Sequence, residues 1–170
     1  MRELRDDAAD VLRDVDLTGV FLMDEEFESR YRTGEFELVT KSSLETRAEV
    51  EEGNLLCWVR YEVWALIGDA QGLPSEPSEI DPEVMGERLA WRIACDWAAQ
   101  YSVRDDRIFT EADLPKLAAF TLVMAPPTIH PYAREHIQSA VGKSLYPAFT
   151  LPHIRPITEL PDDVTLDVED

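Results

Sequence analysis

Phe36-Glu37-Leu38-Val39-Thr40-Lys41-Ser42-Ser43-Leu44-Glu45-Thr46-Arg47-Ala48-Glu49-Val50 decides the fold class. The even positions hold Phe, Leu, Thr, Ser, Leu, Thr, Ala and Val, and the odd positions hold Glu, Val, Lys, Ser, Glu, Arg and Glu. A side-chain period of two belongs to a strand, because successive residues of a strand point to opposite faces of the sheet. One apolar face and one wet face place this strand in an antiparallel sheet covered on a single side.

Outward from that strand, Glu51-Glu52-Gly53-Asn54 supplies a glycine-containing turn, and residues 55–67 form a run rich in Val, Trp, Tyr and Leu. The pair reads as an antiparallel hairpin. Residues 68–82 hold Gly68, Gly72, Pro74, Pro77 and Pro82 among small polar residues, the composition of a long exposed connection. Beyond it, Leu89, Trp91, Ile93, Cys95, Trp97, Ala99, Tyr101 and Val103 fill every odd position, with Arg92, Asp96, Gln100 and Ser102 between them. Ala90, Ala94, Ala98 and Ala99 favour a helix by propensity. Unbroken alternation with three aromatics on one parity favours a strand. Upstream, Val15, Leu17, Gly19, Phe21 and Met23 share a parity while Val20 and Leu22 are also apolar, so residues 15–23 read as another strand. Residues 24–34 show no period and read as a loop.

Leu4, Ala8, Val11 and Leu12 recur at helical spacing and predict a short helix over residues 1–13. Thr110-Glu111-Ala112-Asp113 has the pattern of a capped helix start, and Pro126-Pro127 is a stop signal. A second helix is predicted to open at Pro131, a residue tolerated in a first turn, and to end near Ser144. The expected architecture is α+β: a four-stranded antiparallel sheet with two C-terminal helices on one face, in one domain over residues 1–157. An acidic tail, residues 158–170, is expected to be flexible.

With 170 residues, 45% of them hydrophobic, the chain has enough apolar content for a folded core, so its formal charge of -19 belongs to a folded surface. Such a surface repels phosphate backbones and anionic lipid and favours cationic partners. No segment is long and apolar enough to span a bilayer, and the charged Met1-Arg2-Glu3-Leu4-Arg5 start lacks the apolar core of a signal peptide. Cys57 and Cys95 each sit in an apolar run, which fits a reducing compartment; a cytoplasmic location is the expectation. His130 and His136 are six apart, the wrong spacing for a metal pair on a helix, so no metal is expected. No phosphate loop, nucleophile elbow or activated cysteine is present, and no catalytic residue or cofactor is nominated. What stands out is the supply of sheet aromatics, Trp58, Tyr61, Trp64, Trp91, Trp97 and Tyr101. Any of these left uncovered by the helices would line an apolar groove able to hold an extended chain.

The run Ile129-His130-Pro131-Tyr132-Ala133-Arg134-Glu135, then Ile137, Tyr146-Pro147 and Phe149-Thr150-Leu151-Pro152-His153-Ile154-Arg155-Pro156-Ile157, resembles the C-terminal signature of the SecB family of export chaperones. Pro131, Tyr132, Arg134 and Glu135 carry the motif. The resemblance covers residues 15–157 and implies a homotetrameric, ATP-independent holdase for unfolded client proteins. Its partner would be the motor SecA or, as in some family members, an antitoxin. It places the client groove at Phe27, Tyr31, Phe36, Leu44, Ile137 and Val141. It places a SecA-type partner surface at Asp96, with Glu45 and Glu49 on the charged face of the long strand. Arg134 and Glu135 are equally expected as an ion pair fixing the start of the second helix or as an interface contact. The connection over residues 68–82, Leu145-Tyr146 in place of the family's late glycine, and Val20 where an acid is usual depart from the pattern.

Two other classes compete. A hot-dog-like enzyme or small-ligand binder would need its helix between early strands, and residues 24–34 are too short and charged for one. An acidic decoy for a basic nucleic-acid-binding protein accounts for the charge but not for the aromatics.

Overall fold

The computed structural model describes residues 2–30, 37–51, 53–69, 71, 73, 82–104, 107–144, 146–154 and 165–168. The alternating stretch forms strand β2 (Leu38–Glu51), paired in unbroken antiparallel register with β3 (Asn54–Ile67) from Leu38 opposite Ile67 to Glu51 opposite Asn54. Gly53 joins them at φ +80°, a left-handed backbone that glycine adopts without strain. Strand β4 (Leu89–Val103) pairs antiparallel with β3 on one side and with β1 (Val15–Ser29) on the other. The resulting four-stranded antiparallel core of the sheet runs β1-β4-β3-β2.

Helix α1 (Arg2–Asp14) and the long helix α3 (Leu114–Gly142) pack against each other, and α3 lies across one face of the sheet. That face is built from Leu55, Cys57, Val59, Tyr61, Val63 and Ala65 of β3 and from Trp91, Ile93, Cys95, Trp97, Ala99 and Tyr101 of β4, all buried. The α3 side of the core is a row at intervals of four, Thr121, Ala125, Ile129, Ala133, Ile137 and Val141, each fully buried. Thr121, Ala125 and Ala133 are small and let the helix backbone approach the sheet, while Thr121 also donates to the Leu117 carbonyl at 2.8 Å.

Four expectations change. A single helix replaces the two predicted, with Pro126, Pro127 and Pro131 all inside it. Each proline removes a backbone hydrogen bond, but most of a helix's stability in a protein comes from the face it buries, and this face is buried from Leu117 to Val141. Residues 24–29 continue β1 rather than forming a loop. Register shifts between Leu17 and Gly19 and between Leu22 and Asp24 reset the parity, so no single period survives in the sequence. Pro82, the last residue of the predicted connection, and residues 83–88 before β4 form a short helix α2 (Pro82–Arg88), and Arg88 donates to the carbonyls of Ile67 and Asp69 at 2.8 and 2.6 Å across Gly68, which has φ +103°. Finally, within the acidic tail, β5 (Thr165–Val168) adds a fifth strand, parallel to β2 over Arg47–Val50.

Candidate functional site

On the helix side of the sheet, β1 is incompletely covered. Directly opposed residues of an antiparallel pair share a face. Leu17, Val20, Leu22 and Phe27 oppose Tyr101, Ala99, Trp97 and Ile93 and therefore lie on the α3 side. Leu17, Leu22 and Phe27 remain 51%, 37% and 39% exposed. Across from them α3 contributes Tyr132, half exposed, whose ring lies 6.3 Å from that of Trp97, and His136, edge-on to Trp97 at 5.7 Å. A strut crosses this groove, because His136 Nε2 and Glu25 Oε2 are 2.9 Å apart. Phe21 is also exposed, on the opposite face, with its ring folded over Gly19 so that a Cβ there would stand 2.5 Å from Cζ. From Phe21 to Arg30 every residue is exposed.

On the far side of α3 a pocket of about 210 Å³ is lined by Leu44 of β2, Tyr61 of β3, His130 of α3, and Leu151, His153 and Ile154 of the segment after the helix. That segment is held by buried Leu151, by a tilted ring contact of Phe149 with Trp91 at 5.4 Å, and by the Tyr146 hydroxyl, which donates to the Arg30 carbonyl at the end of β1. Among the described residues the buried Tyr61 hydroxyl has no partner in hydrogen-bonding geometry, and its ring lies 6.0 Å from that of His130, whose two ring nitrogens are also buried. Burial raises the Tyr61 pKa and lowers that of His130; Arg134 and His153 add to the second effect, and the Pro152 backbone opposes it. The fold therefore favours the neutral imidazole of His130. Cys57, fully buried against Thr121, has its thiol pushed up to about 12 by desolvation, and Cys95 to about 11, so neither is an activated nucleophile. Among the described residues there is no cluster of three or more metal-ligating side chains.

No family model and no curated protein matches the sequence. Among solved structures, a SecB-like chaperone of Mycobacterium tuberculosis in complex with a ChAD peptide from the HigA1 antitoxin matches with a TM-score of 0.68. The likeness covers 89% of this chain and 99% of that one, at 14% identity. The fold is SecB-like. A protein of unknown function from Streptococcus agalactiae gives a TM-score of 0.32 at 10% identity, over 82% of this chain and 98% of that one.

Within the SecB-like fold the predicted groove residues separate. Phe27 lies on the open face of β1 and Leu44 on the pocket wall. Ile137 and Val141 are fully buried beneath α3; they belong to the core and not to an accessible wall, because the proline-bearing helix continues through its second half pressed on the sheet. Tyr31 and Phe36 fall outside the described residues. Of the motif, Pro131, Tyr132 and Glu135 are exposed. Arg134 reaches His153, with Nη1 3.5 Å from Nδ1, where an ion pair with Glu135 was one expectation.

Asp96, Glu45 and Glu49 do share the outer face of the sheet, but that face is cross-braced. Asp96 receives Arg60 at 2.7 Å, Glu49 accepts from Trp58 Nε1 at 3.2 Å, and Arg92 joins Glu62 of β3 and Glu26 of β1. Glu45 is exposed opposite Arg60. Here the sheet aromatics are occupied: Arg47 lies over Trp58 at 4.5 Å and Arg92 over Trp64 at 5.9 Å. On the other face Phe120 meets Tyr101 edge-on at 5.0 Å. Among the described residues most of the exposed large apolar side chains, Leu17, Phe21, Leu22, Met23 and Phe27, therefore come from β1, and none is a tryptophan; the apolar run Val20-Phe21-Leu22-Met23 on both parities was the signal in the sequence. The pocket wall at residues 151–154 had no such signal.

Proposed function

We propose that this protein is an ATP-independent holdase that binds non-native polypeptide and performs no catalysis. The observation that carries the reading is the uncovered apolar band of Leu17, Leu22, Phe27 and Tyr132 beside α3 on a SecB-like fold. Exposed apolar side chains at this density serve an interaction, and a groove between an edge strand and a helix suits extended chain. The negative surface adds attraction for basic clients. The location of the long helix after the fourth strand, rather than among the early strands, speaks against the hot-dog reading. Light scattering of heat-aggregating citrate synthase tests the proposal: suppression at stoichiometric protein supports it, and undiminished aggregation defeats it.

Oligomerisation belongs to the same proposal. Strand β1 is fifteen residues long and, among the described residues, pairs only with β4, and an open edge of that length invites a second copy. A homotetramer, as a dimer of such dimers, is the expected assembly, working in the cytoplasm, and its mass in solution checks it. A dedicated chaperone of an antitoxin is the second reading, favoured by the antitoxin peptide bound to the M. tuberculosis protein. Coupling to SecA is the weaker partner reading, because Asp96 is already engaged by Arg60.

A further inference from the structure

The outer edge of β2 carries a strand that comes from the chain's own end. Thr165–Val168 pairs in parallel with Arg47–Val50, with Thr165 opposite Arg47 and Val168 opposite Val50. Along the rest of β2, from Leu38 to Thr46, no strand pairing occupies that edge among the described residues. An unfilled row of backbone donors and acceptors is a template for another extended chain. The pocket bordered by Ser42, Ser43 and Leu44 opens beside this same stretch, so a chain laid along the edge would pass its mouth.

The seated strand has the properties of a temporary occupant. It is four residues long against the fourteen of β2, and it is parallel, the less stable pairing per residue. Its hold depends on tethering, since residues 155–164 join it to the segment that lines the pocket, and a short tether gives an effective concentration on the order of millimolar. An incoming polypeptide that pairs over the length of β2 would form more backbone hydrogen bonds than the tail does, and would need the tail to leave.

We infer that Thr165–Val168 is an intrachain competitor: it caps the β2 edge, and an extended segment of a non-native client displaces it and takes the edge by strand addition. This rests on the holdase reading above and adds a second docking surface, remote from the β1 groove, with its own control. Apparent affinity scales with the fraction of molecules whose edge is open. A tail closed in about four molecules of five lowers client affinity about fivefold.

The test uses reduced, carboxamidomethylated lysozyme, a basic chain unable to refold, titrated by fluorescence anisotropy against three proteins. These are the full chain, a chain ending at Val164, and the full chain with Leu166→Pro and Asp167→Pro, which removes two successive backbone donors while keeping the tail. The expected result is about fivefold tighter binding for both variants at 0.15 M and at 0.5 M salt. Amide hydrogen exchange should show Arg47–Val50 losing protection in both variants, and bound lysozyme restoring it and extending it toward Leu38. Equal affinity for all three overturns the competitor. A gain for the truncation alone, vanishing at high salt, also overturns it by assigning the effect to tail charge. A gain in assembly mass without a gain in affinity overturns it by giving the edge to a second copy. Absence of binding by all three, including the full chain, defeats the holdase reading itself.

Discussion

Replacing Pro131 with alanine should stabilise the protein. Pro131 stands inside a helix of 29 residues, three turns from its end, with its ring exposed. Proline in a helix interior costs about 3 kcal/mol relative to alanine, since it lacks the N–H and its ring crowds the carbonyl four residues back, here that of Pro127. Alanine would supply the missing donor to that carbonyl without losing buried area. Against this gain stands the unfolded chain, which proline stiffens; releasing it costs up to about 1 kcal/mol. The difference is about 2 kcal/mol in favour of the variant. With a urea slope of about 2 kcal/mol/M, the unfolding midpoint rises by about 1 M, measured at fixed protein concentration because assembly would also shift it. Pro126 is buried, so Pro126→Ala gives up packing and should gain less. A lower midpoint for Pro131→Ala, with unchanged helix content by circular dichroism, would refute the argument; it would mean that proline relieves a bend which the continuous helix needs.

Three further outcomes are expected. Tyr132→Ser and Phe27→Asp change exposed groove residues, so each should leave stability within about 0.5 kcal/mol while reducing suppression of citrate synthase aggregation severalfold; retained suppression by both removes the groove from the mechanism. Ile137→Ala should cost about 3 kcal/mol in urea unfolding, because the side chain is fully buried, with no change in client affinity per folded molecule. His130, whose pKa in the fold is held below its usual 6.5 by burial and by Arg134, binds a proton more readily when unfolded. Stability should therefore fall as pH drops through about 6.5, with a slope of at most about 1.4 kcal/mol per pH unit from this group. His130→Phe should flatten that part of the profile, separately from the acid limb below about pH 4, where Asp113, whose pKa is lowered first by the Thr110 backbone, loses its contribution.

The site was less legible than the sheet for identifiable reasons. Tyr132 stood in a motif and Phe27 in an apparent loop, and nothing in one dimension joined them; β1 does so by running six residues further than its period. Ile137 carried the helical spacing of a groove residue and of a core residue alike, and burial alone separates the two. Asp96 and Arg60 are 36 residues apart and meet because β3 and β4 are in register there, which turns a free acid into half of an ion pair.

By itself the sequence determined the strands whose side chains alternate without interruption. Residues 38–51 and 89–103 lie where the period of two puts them, because that pattern is a local property that each strand keeps in any register, and residues 54–67 lie where the glycine turn and the run rich in Val, Trp, Tyr and Leu put a hairpin partner. The acidic surface and the N-terminal helix are of the same kind. Tertiary structure decided what local signals opposed or did not encode. Docking on the sheet carried α3 through three prolines, two register shifts drew Asp24–Ser29 into β1, and the edge of β2 gave Thr165–Val168 a partner. In each case a contact distant in sequence outweighed a local preference of a few kcal/mol, and only the folded chain brings such contacts together.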